Sequence, residues 1–163
     1  MAFFLLILVV VLLDQITKFW VVNSFNLYET REIIPGFFNL VYCTNSGAAF
    51  SILAGPSSLV RQCFFIVVTI IALVFVISLY RKHREQSKLY LYGFGLIAGG
   101  AVGNLIDRLR HGAVIDFLDF YIGYRHWPAF NLADSAITIG TGLIMLVMFV
   151  SEKSTTKTNN TKE

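Results

Sequence analysis

The chain has 163 residues, 56% of them hydrophobic, and a mean hydropathy of +0.67. One soluble domain of this length does not carry that much apolar surface, so the composition points to a membrane protein. Charged residues make up 14% and the net charge is +3; they gather at the ends of apolar runs, and no recognition helix or aromatic-interleaved basic groove points to nucleic acid.

The first apolar run, about 1–22, has no basic n-region and no small-residue cleavage site, so it is expected to be a retained span rather than a removable signal peptide. Within it Asp14 and Lys18 are four apart and share a helix face. They form either a self-neutralising interfacial couple or a support for a site at the outer end of the span. Between Glu32 and Leu53, β-branched and aromatic residues, a Pro35-Gly36 turn signal and alternation through Phe38, Leu40 and Tyr42 predict a small sheet on the membrane surface. Further runs at about 64–80, 89–108 and 132–150 bring the expected spans to four, each near the ~20 residues that cross a ~30 Å core. The link RKHREQSK between the second and third runs holds Arg81, Lys82, Arg84 and Lys88. Such a link is expected in the cytoplasm, with both termini on its side and the segments 23–62 and 109–131 outside. Residues 1–150 are read as one integral-membrane domain, and 151–163 as a polar, disordered cytoplasmic tail.

Gly95, Gly99 and Gly103 recur at four-residue steps on the third run, a face for close packing that continues toward Asp107. Asn104 and Arg108 are also one turn apart and would direct donors at one outer pocket. Asp107 is read as a helix-end charge. Cys43 and Cys63 show neither metal nor redox spacing and are read as packing residues, and His83, His111 and His126 as interfacial side chains.

The stretch Gly112 to Ser135 holds Asp116, Asp119 and Asp134 beside strongly apolar runs, where a carboxylate is costly. Asn131, after Pro128, can cap the fourth helix, whereas Asp134 stands a turn inside it. Two adjacent carboxylates ionise one at a time, which suits them to activate water as a base and an acid. No serine has a plausible histidine partner, and a two-Asp metal site would want further ligands. If the stretch is helical, Asp119 shares a face with Asp116, so three acids remain candidates. A transporter or proton-relay subunit and a structural assembly subunit are the competing roles.

DQITK at 14–18, TNSGAAFS at 44–51, GGAVGNLIDR at 99–108, VIDF at 114–117 and FNLADS at 130–135 stand in an order that resembles the lipoprotein signal peptidases, the signal peptidase II class of bacterial aspartyl proteases. The likeness implies four transmembrane helices with a small extracytoplasmic sheet as a cradle and a short outer helix or loop. It implies Asp116 and Asp134 as a catalytic dyad, which demotes Asp119. Asp14, Lys18, Asn45, Asn104, Arg108 and Asn131 are implied to shape the site or hold substrate, and Gly47, Gly99 and Gly103 to allow close packing. The implied reaction removes the signal peptide from a diacylglyceryl-modified prolipoprotein before its lipidated cysteine. It takes place at the outer face of the bacterial inner membrane, in lipid, by a monomer without metal or other cofactor.

Overall fold

The least apolar of four long helices is the one most enclosed by protein. The computed structural model describes residues 1–47 and 58–159; the expected end of the first sheet segment near Leu53 and residues 48–51 of the TNSGAAFS motif lie outside the described residues. In chain order the elements are α1 (Ala2–Ser24), β1 (Thr30–Ile34), β2 (Phe38–Asn45), α2 (Leu59–His83), α3 (Lys88–His111), β3 (Val114–Ile122), β4 (Arg125–His126) and α4 (Leu132–Asn159). Mean hydropathy is 2.2 for the α1 span, 2.9 for α2 and 1.8 for the Leu132–Val150 part of α4, but 1.5 for α3. Helix α3 packs on each of the other three. Apolar side chains such as Phe4, Leu8, Leu12, Val67 and Ile71 point outward instead. In a bilayer this inversion is stable, since lipid solvates apolar faces and the bundle interior shelters polar ones.

Glycines let α1 approach α3 closely. Cβ atoms added at Gly95, Gly99 and Gly103 would come within 2.7, 2.7 and 2.5 Å of Leu6, Val10 and Asp14, which step along α1 at the same four-residue interval. Gly99→Leu is therefore expected to force the helices apart and cost about 1–3 kcal/mol. Gly142→Ala, which meets nothing within 4 Å, is the control. Thermal unfolding in detergent checks the pair, and equal midpoints would show that the close approach carries no stability.

The sheet runs β1-β2-β3-β4, antiparallel throughout, with Leu40 opposite Leu118 and Cys43 opposite Asp116 across a register shift. Gly112, in the left-handed region at φ 73, ends α3 by donating to the Arg108 carbonyl at 3.1 Å and turns the chain into β3. Val21 and Phe25 of α1 and its exit pack on Phe117 of β3, which seats the sheet against the bundle.

Two boundaries differ from the hydropathy reading. Helix α2 begins at Leu59 rather than 64, because its first turns include the polar Arg61 and Gln62, and Gln62 Nε2 donates to the Arg108 carbonyl at 2.8 Å. Helix α4 continues past residue 150 to Asn159. Extending an existing helix avoids the nucleation cost that a separate polar segment would meet.

Candidate active site

Strand β3 and the first turn of α4 bring Asp116 and Asp134 near enough for the second charge to act on the first. Asn131 joins the two elements. Its Nδ2 donates to Asp116 Oδ1 at 2.7 Å and to the Ile115 carbonyl at 3.1 Å, while its Oδ1 accepts from Asp134 N at 2.9 Å. The last bond is the N-cap expected from the sequence; the hold on Asp116 is an addition that spacing did not reveal. Asp134 lies in the first helical turn, where the helix dipole favours a carboxylate.

Asp116 is 3% exposed. Burial, and after it the Asp134 charge, push its carboxyl from an ordinary 3.8 up to about 7, against the Asn131 and Asn45 side-chain hydrogen bonds and the Lys18 charge. At neutral pH this group therefore divides between its acid and its carboxylate. Cys43 Sγ donates to the Asp116 carbonyl at 3.5 Å, and burial pushes the thiol up to about 11, so no thiolate competes as nucleophile. Cys43 and Cys63 are both free thiols.

Behind the two acids lies a buried ionic group. Asn104 Nδ2 donates to Asp134 Oδ1 at 2.8 Å, and its Oδ1 accepts from Lys18 Nζ at 2.9 Å. Lys18 Nζ is 2.8 Å from Asp14 Oδ2 and 2.7 Å from Asp107 Oδ2, and all three side chains are at most 2% exposed. The two carboxylates then reach the backbone beside Asp116 and Asp134. Asp107 Oδ2 accepts from Ile115 N at 3.2 Å and Asp14 Oδ1 from Ala133 N at 3.0 Å, the residues that immediately precede Asp116 and Asp134.

Asp107 is thus no helix-end charge. It continues the four-residue step from Gly103, and that face points at α1, not at solvent. Gln15 was missed altogether: its Nε2 donates to Asp107 Oδ1 at 3.0 Å and lies 3.2 Å from Asp14 Oδ2. Its place inside DQITK, beside Asp14 and three residues before Lys18, was the available signal.

Asp119 belongs elsewhere. Because Val114–Ile122 is a strand and not a helix, positions three apart face opposite sides. The Asp119 carboxylate accepts from Asn39 Nδ2 at 2.9 Å and meets His126 Nδ1 at 2.9 Å, with the His126 ring stacked on Tyr121. Asn45 Oδ1 accepts from Gly47 N at 2.9 Å while its side chain also reaches Asp116. Arg108 Nη2 donates to the Gly47 carbonyl at 3.0 Å, and its guanidinium lies over the Phe65 ring at 5.4 Å. Among the described residues, no three His, Cys, Asp or Glu side chains converge as a metal-holding group.

A family model for Signal peptidase (SPase) II matches residues 6–150. A lipoprotein signal peptidase of Syntrophus aciditrophicus is 48% identical over 144 residues, 88% of this chain and 89% of the relative. That of Shewanella piezotolerans is 45% identical over 158 residues, 97% and 92% of the two chains. A bacterial membrane enzyme solved by the in meso method at 2.3 Å superposes with a TM-score of 0.82 at 34% identity, covering 93% of this chain and 90% of that one. A second, solved at 1.9 Å, gives 0.78 at 36% identity, covering 90% and 91%.

Proposed function

Since this chain belongs to the signal peptidase II family of membrane aspartic endopeptidases, we propose that Asp116 and Asp134 are its catalytic dyad and that it cuts a diacylglyceryl-modified prolipoprotein before the lipidated cysteine. The carrying observation is a buried Asp116 carboxyl beside that of Asp134, with Asn131 and Asn45 holding the first and Asn104 the second. Asn104 occupies Asp134 Oδ1, which leaves Oδ2 to take a proton from water. Asn131 donates to Asp116 Oδ1, which leaves Oδ2 to carry the proton that Asp116 gives up as the acid. Water, deprotonated by Asp134, attacks the scissile carbonyl carbon as Asp116 donates to the carbonyl oxygen. When the tetrahedral intermediate collapses, the carbon–nitrogen bond breaks. A proton from the dyad then goes to the leaving cysteine nitrogen, giving a free amine and a signal-peptide carboxylate.

The sheet would act as the cradle, with Asn45 toward the substrate backbone and Arg108, which anchors Gly47, near its carbonyl groups. The basic link 81–88 and both termini are assigned to the cytoplasm, and the dyad to the outer face, because outer-leaflet depth is where the substrate's own lipid holds the scissile bond. The protein is assigned as a monomer in lipid.

Catalysis with Asp116 as the acid predicts a rate that falls as pH rises through about 7, since Asp116 then loses the proton it must donate. Cleavage of a diacylglyceryl-modified prolipoprotein by the purified protein, followed from pH 5 to pH 9 as kcat/KM, checks this. A rate that is flat or rising across pH 7 would remove Asp116 from the acid role.

A further inference from the structure

A cavity opens beside the sheet, and neither Asp116 nor Asp134 is among its lining residues. Its volume is about 520 Å³, and its lining includes Arg61, Arg110, His111, Ser46, Ser58 and Gln62, with no carboxylate. Arg110 and His111 make no ion pair among the described residues, and the sequence between 48 and 57 contains no Asp or Glu that could neutralise them.

Helix-dipole compensation accounts for only part of this. Arg110 and His111 occupy the last turn of α3, where cations are favoured. Arg61 stands in the first turns of α2, where a cation opposes the helix dipole, and that turn carries no acid. Ser58, the N-cap, makes no side-chain cap bond there. Two helix ends of opposite polarity therefore both contribute positive side chains to one space. Arg61 Nη1 lies 3.5 Å from Ser46 Oγ, another lining residue. The space also exceeds what a single ion needs.

We propose that this cavity binds a phosphate anion, presented as the headgroup of an anionic phospholipid. Arg110 supplies the charge-assisted bonds beside His111, with Arg61, hydroxyls and the Gln62 amide completing the wall. The neighbouring surface supports the lipid source. Leu59, Val60 and Phe64, in the first turns of α2 next in the chain to the cavity-lining Ser58, Arg61 and Gln62, are 78%, 80% and 51% exposed, an apolar surface for acyl chains beside the headgroup site. The site neither uses the dyad nor depends on its assignment.

The test is native mass spectrometry of the full-length protein in detergent, titrated with phosphatidylglycerol, with phosphatidylcholine, or with inorganic phosphate alone. One phosphatidylglycerol is expected to be retained about ten-fold more strongly than phosphatidylcholine, with the preference lost in Arg110→Gln/His111→Gln, as for removal of charge-assisted bonds. Displacement of that lipid by millimolar inorganic phosphate would also support the anion site, but would assign it to free phosphate. Equal retention of the two lipids, or an undiminished preference in the double variant, would overturn the proposal. Unchanged α-helical circular dichroism in the variant keeps loss of fold apart from loss of binding.

Discussion

Asp116→Asn is expected to abolish cleavage while making the folded protein more stable above pH 7. The loss of rate follows from removing one member of an acid–base pair, about 10²- to 10⁴-fold. Stability moves the other way. The folded-state pKa of Asp116, about 7, is raised above the ordinary 3.8, so between these values the folded protein holds a proton that the unfolded chain has released. The associated stability is fully present below about pH 4 and is lost as pH rises through 7. Asn cannot ionise and retains that stability, and its side-chain oxygen can still accept from Asn131 Nδ2. The gain at pH 8 is of the order of 1–4 kcal/mol, with the upper figure set by a shift of about three pKa units, and it vanishes near pH 4. Paired thermal melts at pH 4 and pH 8, with cleavage assays beside them, test both halves. Full activity in the variant would remove the dyad assignment, and a melting point lowered at pH 8 would contradict the burial cost assigned to the Asp116 carboxylate. Asp119→Asn, altered on the opposite face of β3, is expected to retain cleavage.

Lys18→Met should have the largest effect on folding. Lys18 is the common partner of Asp14, Asp107 and Asn104 in a space that water does not reach. Without it two buried carboxylates face each other unneutralised, and breaking even one such buried pair costs about 3–5 kcal/mol. The single variant is expected not to accumulate in the membrane, or to unfold far below the wild-type midpoint. Lys18→Met/Asp14→Asn/Asp107→Asn should recover most of that stability, because the new amides can still accept from Ala133 and Ile115. Its kcat should stay low with KM little changed, since Asn104 loses the ammonium that fixes its grip on Asp134. A single variant that melts with wild type would mean that the ion group carries no stability.

Hydropathy located the four helices because lipid demands long apolar runs whatever the rest of the fold does. It missed β3 for a physical reason. Val114, Ile115, Asp116 and Phe117 are all buried, so this central strand, covered on both sides, lacks the alternation that marks a half-exposed one. Asp14 and Lys18 were legible as a pair because both lie on one helix. Asp107 was not, since its partner is on another helix and it stands next to Arg108 in the chain. Charge and spacing left Asp116, Asp119 and Asp134 equivalent, and only the resemblance separated them; the strand adds that Asp119 faces away from Asp116, toward Asn39 and His126.

The bond from Asp14 to the Ala133 amide joins residues 119 apart, the first span to the last. During synthesis the ribosome delivers α1 long before α4, so Asp14 must enter the bilayer with this partner still unmade. Pairing with Lys18 one turn away lets α1 carry its own neutralisation until then. With Asp116 and Asp134 proposed as the dyad, a nascent chain without the final helix would hold no assembled proteolytic centre, and cutting would wait until translation and insertion are nearly complete.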